Sequence, residues 1–116
     1  MGLDMDFYKV NVNGEKEHLR YFRKHSDLNG ILQECWVEKN LDKDPNEFNC
    51  SEFEVTLDEV ERIKNFMETS RNSNKHYVGF FWGQSTEEDW EETEILLEEI
   101  VETINNGQKV VYVPWW

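Results

Sequence analysis

The stretch "TEEDWEETEILLEEIVETINNG", Thr86 to Gly107, leaves the chain the least conformational freedom. It carries nine carboxylates and no Lys or Arg. Charges of one sign at this density must face water, and the spacing offers one way to do so. Trp90, Thr93, Leu97, Ile100, Val101 and Ile104 fall on one stripe of a helix with 3.6 residues per turn. Glu91, Glu94, Glu98 and Glu102 form a row on the other side, with Glu88, Glu92 and Glu99 beside it. The spacing therefore predicts an amphipathic helix ending at Asn106-Gly107, a good C-terminal stop. Glu87, Glu88 and Asp89 gain from the positive end of the helix dipole. Glu98, Glu99 and Glu102 do not, and each like-charged i,i+4 pair costs about 0.2–0.5 kcal/mol. These three serve either solubility or a working surface.

The distribution of charge sharpens that choice. The net charge is -13 over 116 residues. Residues 1–75 hold 16 acids against 11 Lys/Arg, residues 76–108 hold 9 acids and no Lys or Arg, and Lys109 is the only later charge. Such a field repels nucleic acid and anionic membranes and favours basic partners or metal ions. No apolar run approaches the ~18 residues of a membrane span. "MGLDMDFYKV" has acids where a secretory signal has basic residues, so a cytoplasmic location is expected. Cys35 and Cys50 lack the spacing of a zinc or redox motif and read as reduced structural thiols. Hydrophobic content of 38% supports a single compact domain, 1–116.

Along the chain, "LDMDFYKVNV" alternates as a first strand ending at the turn "NVNG", and "EKEHLRYFRKHSD" reads as loop or a helical turn. Ser26 or Asp27 caps a helix to about Lys39, with Leu28, Ile31, Leu32, Cys35 and Trp36 on one face. A polar loop around Pro45 precedes the short strand "SEFEVT". Thr56 and Glu59 have capping-box spacing for a helix from Leu57 to about Thr69, which buries Val60, Ile63, Phe66 and Met67. "KHYVGFFWG" reads as a third strand ahead of the acidic helix. "KVVYVPWW" closes the chain as a strand, with Pro114 marking its end or a sheet edge. The order β-α-β-α-β-α-β implies an α+β or two-layer α/β domain, a sheet of about four strands under three helices.

The segments "MGLDMDFYKV", "YFRKHSDLNG", "VTLDEVERI" and "GFFWGQSTEEDWEETEILLEEI", with the closing Tyr-x-x-x-Trp, resemble a group of small phage- and prophage-borne proteins. These open "MGLDMY", carry "YWRK" before the first helix and have "GFFFG" ahead of an acidic, aromatic stretch. The chain departs from that pattern at Asp6, where Tyr is usual, and at Asn29, where His often stands. The resemblance implies a phage context in a host cytoplasm, where small phage proteins often bind and redirect host machinery. It implies no particular activity.

Three functions follow as expectations. In the first, the acidic helix binds and inhibits a host protein with a basic surface, as a nucleic-acid mimic of anti-defence type. Its carboxylates give about one charge per ~2.7 Å of helix axis, against ~1.7 Å in duplex DNA. Glu91, Glu94, Glu98, Glu99 and Glu102 would stand in for phosphates. Trp116 would add an apolar anchor, because Trp115 and Trp116 point to opposite faces of a strand. In the second, Arg20, Tyr21, Arg23 and Lys24 contact an anion or small ligand, with Lys16, His18 and Phe22 close by, in a ligand-binding domain or enzyme. In the third, that basic segment meets the acidic helix of another copy, giving a homodimer. His18, His25 and His76 form no HxxxH or HExxH pair, and neither a GxSxG nor a phosphate-cradling loop is present. No catalytic residue, metal or cofactor is expected, and no direct nucleic-acid or membrane binding.

Overall fold

The computed structural model describes residues 2–73 and 87–116. Alternation near the two ends of the chain builds the centre of the sheet. In β1 (Asp4–Val10) Met5 and Phe7 are buried, and in β4 (Lys109–Trp115) Val110, Tyr112 and Pro114 are. The strands pair antiparallel with Phe7 opposite Tyr112 and Met5 opposite Pro114, so one face of the sheet is apolar. β2 (Lys16–Arg23) flanks β1, and β3 (Phe53–Val55) flanks β4, giving the antiparallel order β2-β1-β4-β3. Pro114 is tolerated in this inner strand because β3 pairs with β4 only as far as Tyr112.

The helices α1 (Ser26–Lys39), α2 (Leu57–Ser73) and α3 (Glu87–Asn105) share one core with that apolar face. The result is the expected small α+β domain, with four strands and three helices among the described residues, in two layers. Among the described residues the order is β-β-α-β-α-α-β, with a 3-10 turn before β3, and it departs from the alternating one at residues 16–23. Residues 16–23 are a strand, not a loop or helical turn. β2 lies at the edge of the sheet among the described residues and only its Phe22 is fully buried, so it never shows the apolar alternation that marks a half-buried strand. Its hydrogen bonds come from β1 through a hairpin, where the Asn11 side-chain oxygen accepts from the N–H groups of Asn13 and Glu15. Gly14 sits there at φ 82, which favours glycine. The strand expected at "KHYVGFFWG", residues 75–83, lies outside the described residues.

The expected stripe of α1 is buried, from Leu28 to Trp36. Ser26 and Asp27 fall inside its first turn, also buried, and His25 occupies the N-cap without a side-chain cap bond. At the start of α2 the Glu59 carboxylate accepts from the Thr56 N–H (2.8 Å) and hydroxyl (2.6 Å), as the capping spacing suggested. The polar loop around Pro45 holds a feature the spacing concealed. Pro45–Phe48 is the 3-10 turn, capped by Asp44 and Glu47, and it plants Phe48 in the core with no exposure. The Phe48 ring meets Trp36, Phe53, Tyr112 and Trp116 at 5.6, 6.2, 5.9 and 6.3 Å between centroids. Phe48→Ala should cost about 3–5 kcal/mol of stability in denaturant unfolding. A loss under about 1 kcal/mol would show that the turn is not part of the cooperative core.

Candidate functional site

α3 buries Trp90, Thr93, Leu96, Leu97, Ile100 and Thr103, whereas Val101 and Ile104 are only partly covered. The buried stripe is thus rotated from the one read off the spacing, with Leu96 and Thr103 turned inward. The rotation follows from α3 meeting both α2 and the sheet, where apolar spacing alone cannot weigh one neighbour against the other. It has two consequences. Ile95 is left 50% exposed within the acidic row, one helical turn from Glu91, Glu98 and Glu99. Glu99 is swung toward β2, where its Oε1 accepts from Arg20 Nε at 2.9 Å and from Arg20 Nη2 at 2.8 Å.

Of the five acidic residues picked out as partner-binding, Glu91, Glu94, Glu98 and Glu102 are exposed and Glu99 is partly covered in its ion pair. Across α3 as a whole Glu87, Glu88, Glu91, Glu94, Glu98 and Glu102 are exposed, six of the nine carboxylates. These give about one outward charge per ~4 Å of axis, less than half the density of duplex DNA. Beside the ridge, a groove of about 970 Å³ runs between α2 and α3, with Met67, Leu97 and Val101 in its floor and Glu94, Glu98 and Glu102 along one wall. α2 carries the opposite habit: Arg62 reaches Glu34 and Glu38 of α1 at 2.8 and 2.6 Å.

The N-terminal end of α3 is held from inside. The Thr93 hydroxyl donates to the Asp89 carbonyl at 2.7 Å, so it accepts from His25 Nε2–H at 2.9 Å. The His25 ring has no exposure and lies against Phe22 and edge-on to Trp90. Burial lowers the His25 pKa to about 4, against the opposing pull of Asp89 and Asp27. Nearby, the Tyr112 hydroxyl donates to Asn29 Oδ1 at 2.6 Å within the core, and burial pushes the Tyr112 pKa well up. Of these buried polar groups the spacing placed only Thr93 on the packed stripe of α3, and nothing in it marked His25, Asn29 or Tyr112 as core partners. Their signal was the polar run "HSDLN" at a helix start, which reads equally well as an exposed cap.

The basic segment is split by strand alternation. Arg20 faces the helices and Glu99, while Tyr21 and Arg23 lie on the opposite face of the sheet, across from Asp6 and Asp4. A bulge between Phe7 and Tyr8 also turns His18 to that open face, where it contacts Asp6 at 2.9 Å and the Tyr8 ring. Tyr21 donates to Asp4, a bond that is the largest cause of its raised pKa, and Lys16 pairs with Glu52. Lys24 is exposed, at φ 59. The four residues Arg20, Tyr21, Arg23 and Lys24 therefore do not converge on one site.

The terminal indoles are exchanged relative to expectation. Trp115 is the exposed one, at 62%, on the open face of the sheet. Trp116 is partly buried: its N–H donates to Asn49 Oδ1 at 3.0 Å and its carbonyl accepts from Asn49 Nδ2 at 2.9 Å. Opposite faces were anticipated, but which indole faces out depends on register. Trp115 is on the sheet face away from the helices and the α3 ridge, and Trp116 is held against Phe48 and Asn49. Ile95 is the exposed apolar group on the ridge itself.

Burial raises the Cys35 thiol to about 11, and Cys50 is exposed; both are free thiols. Among the described residues no group of three or more His, Cys, Asp or Glu is placed to hold a metal ion, and no helix is long and apolar enough to cross a membrane. No family model, curated protein or solved structure matches the chain.

Two measurements check this geometry. His25 binds a proton near pH 6.5 when unfolded but only near about 4 in the fold. Above pH 6.5 His25 is neutral in both states, and as pH falls toward 4 only the unfolded chain takes up the proton, so stability drops by about 3 kcal/mol across that window. His25→Gln should flatten the stability profile in that window; an unchanged slope would assign it to other groups. For Arg20 and Glu99, a double-mutant cycle with Arg20→Ala and Glu99→Gln should give a coupling of about 1 kcal/mol or less that shrinks with salt. A coupling of zero at low salt would show that the pair does not hold α3 to β2.

Proposed function

We propose that the protein is a small, non-catalytic binder of phage type, which docks the outer surface of α3 on a basic surface of a host protein and inhibits it. The observation that carries this reading is the exposed row Glu91, Glu98 and Glu102 on a helix without a single Lys or Arg. Net negative charge also favours solubility, but the i,i+4 repulsion between Glu98 and Glu102 costs about 0.2–0.5 kcal/mol that a face with interspersed cations avoids. Presented to a basic partner, the same repulsion is relieved on binding. The long-range field also accelerates encounter in a salt-dependent way. Where the partner surface normally holds nucleic acid, the carboxylates occupy the positions of phosphates and exclude it.

Glu99 is set apart from this surface by its pair with Arg20, so a test should spare it. Glu91→Lys/Glu98→Lys/Glu102→Lys changes exposed positions only and should leave the far-UV circular dichroism unchanged. Affinity capture from host lysate with the unaltered protein should recover a partner that is released by raising salt, and the triple variant should recover none. Retention of that partner by the folded triple variant would remove the acidic surface as the binding site.

A further inference from the structure

The groove beside the ridge narrows the chemistry of the partner. Its floor is an outward continuation of the core: Met67 and Leu97 are nearly buried, and Val101 is partly so. A surface built only to imitate phosphates needs no apolar floor, because phosphates are matched by charge. The two walls differ as well. The α3 wall carries three acids, Glu94, Glu98 and Glu102, whereas the α2 wall carries one charge of each sign, Lys64 and Glu68. From Glu94 to Asn106 the groove follows α3 for about 18 Å, the length of a helix of about 12 residues.

We propose that this groove takes a basic amphipathic helix of the partner protein. Its apolar stripe lies on Met67, Leu97 and Val101, and its Lys or Arg residues along one flank meet Glu98 and Glu102. Apolar anchors at i, i+3 or i+4, and i+7 match the floor in the way helices generally seat in grooves. The unbranched Met67 adapts to the side chain set on it. Charge complementarity selects a basic flank, and the one-sided walls set the direction in which the helix lies. This inference rests on the reading of α3 as a docking surface and adds the shape of what docks.

The test uses the full chain and a labelled Leu/Lys model helix of roughly 15 residues, long enough to hold helical structure on a surface. Its control has the same composition with the apolar spacing scrambled. Fluorescence anisotropy should show the amphipathic peptide binding at least about tenfold tighter than the scrambled one. Asn105→Arg, an exposed change at the groove wall, and Val101→Asp should each remove most of that preference. Asn105→Arg keeps the test decisive if Val101→Asp fails to fold. Equal, salt-sensitive binding of both peptides would overturn the helix-in-groove proposal while leaving the acidic docking surface standing. No binding of either peptide at low salt would overturn both. If the groove variants instead convert a dimer to a monomer in sedimentation, the occupant is a second copy of the chain and the proposal falls.

Discussion

A continuous chain of ring contacts holds this domain together. Trp116 meets Phe48, Phe48 meets Tyr112, Tyr112 meets Phe7, and Phe7 meets Phe22, at centroid distances between 4.7 and 6.3 Å. From Phe22 the contacts continue through His25 to Trp90 and on to Phe66. The rings come from the 3-10 turn, β4, β1, β2, the cap of α1, α3 and α2, so the chain touches elements from both layers. Aromatic pairs add about 0.5–1.5 kcal/mol each beyond the area they bury. Their larger effect here is positional, because a shift in one ring must be accommodated by the next in a close-packed interior.

The surface of α3 inherits its orientation from that chain. Trp90 and Thr93 dock on His25, which fixes the rotation of the helix near its start. Arg20 then holds Glu99 farther along. With both ends of the rotation set, Glu91 is committed to open solvent and Glu94, Glu98 and Glu102 to the exposed wall of the groove. The acidic ridge is therefore presented on a rigid scaffold, which spares a partner the entropy of ordering it. The same arrangement leaves the opposite face of the sheet to Trp115, Tyr21 and the Asp4 and Asp6 side chains, away from the ridge.

Where the sequence was informative, it spoke through local periodicity. The buried stripe of α1, the start of α2, the stop of α3 after Asn105 and the central strands β1 and β4 all follow from spacing within a dozen residues. Where it was not, a second segment had to be known. β2 hid among charged residues because its hydrogen bonds are satisfied by β1, and an edge strand need not alternate in polarity. Phe48 hid in a polar loop because a short 3-10 turn leaves no periodic trace.

The amino-acid sequence by itself determined that the second half of the chain would carry an acidic helix, and that its charge would face outward on a small α+β domain. Helical period and the cost of burying unpaired carboxylates settle both locally. Only the tertiary structure decided which carboxylates that helix shows. Register placed Arg20 on the helix side of the sheet and Trp115 on the other, and packing against α2 opened the groove and turned Ile95 outward. Strand register and helix rotation are relations between distant segments, so they are set by how those segments pack and not by the spacing within either one.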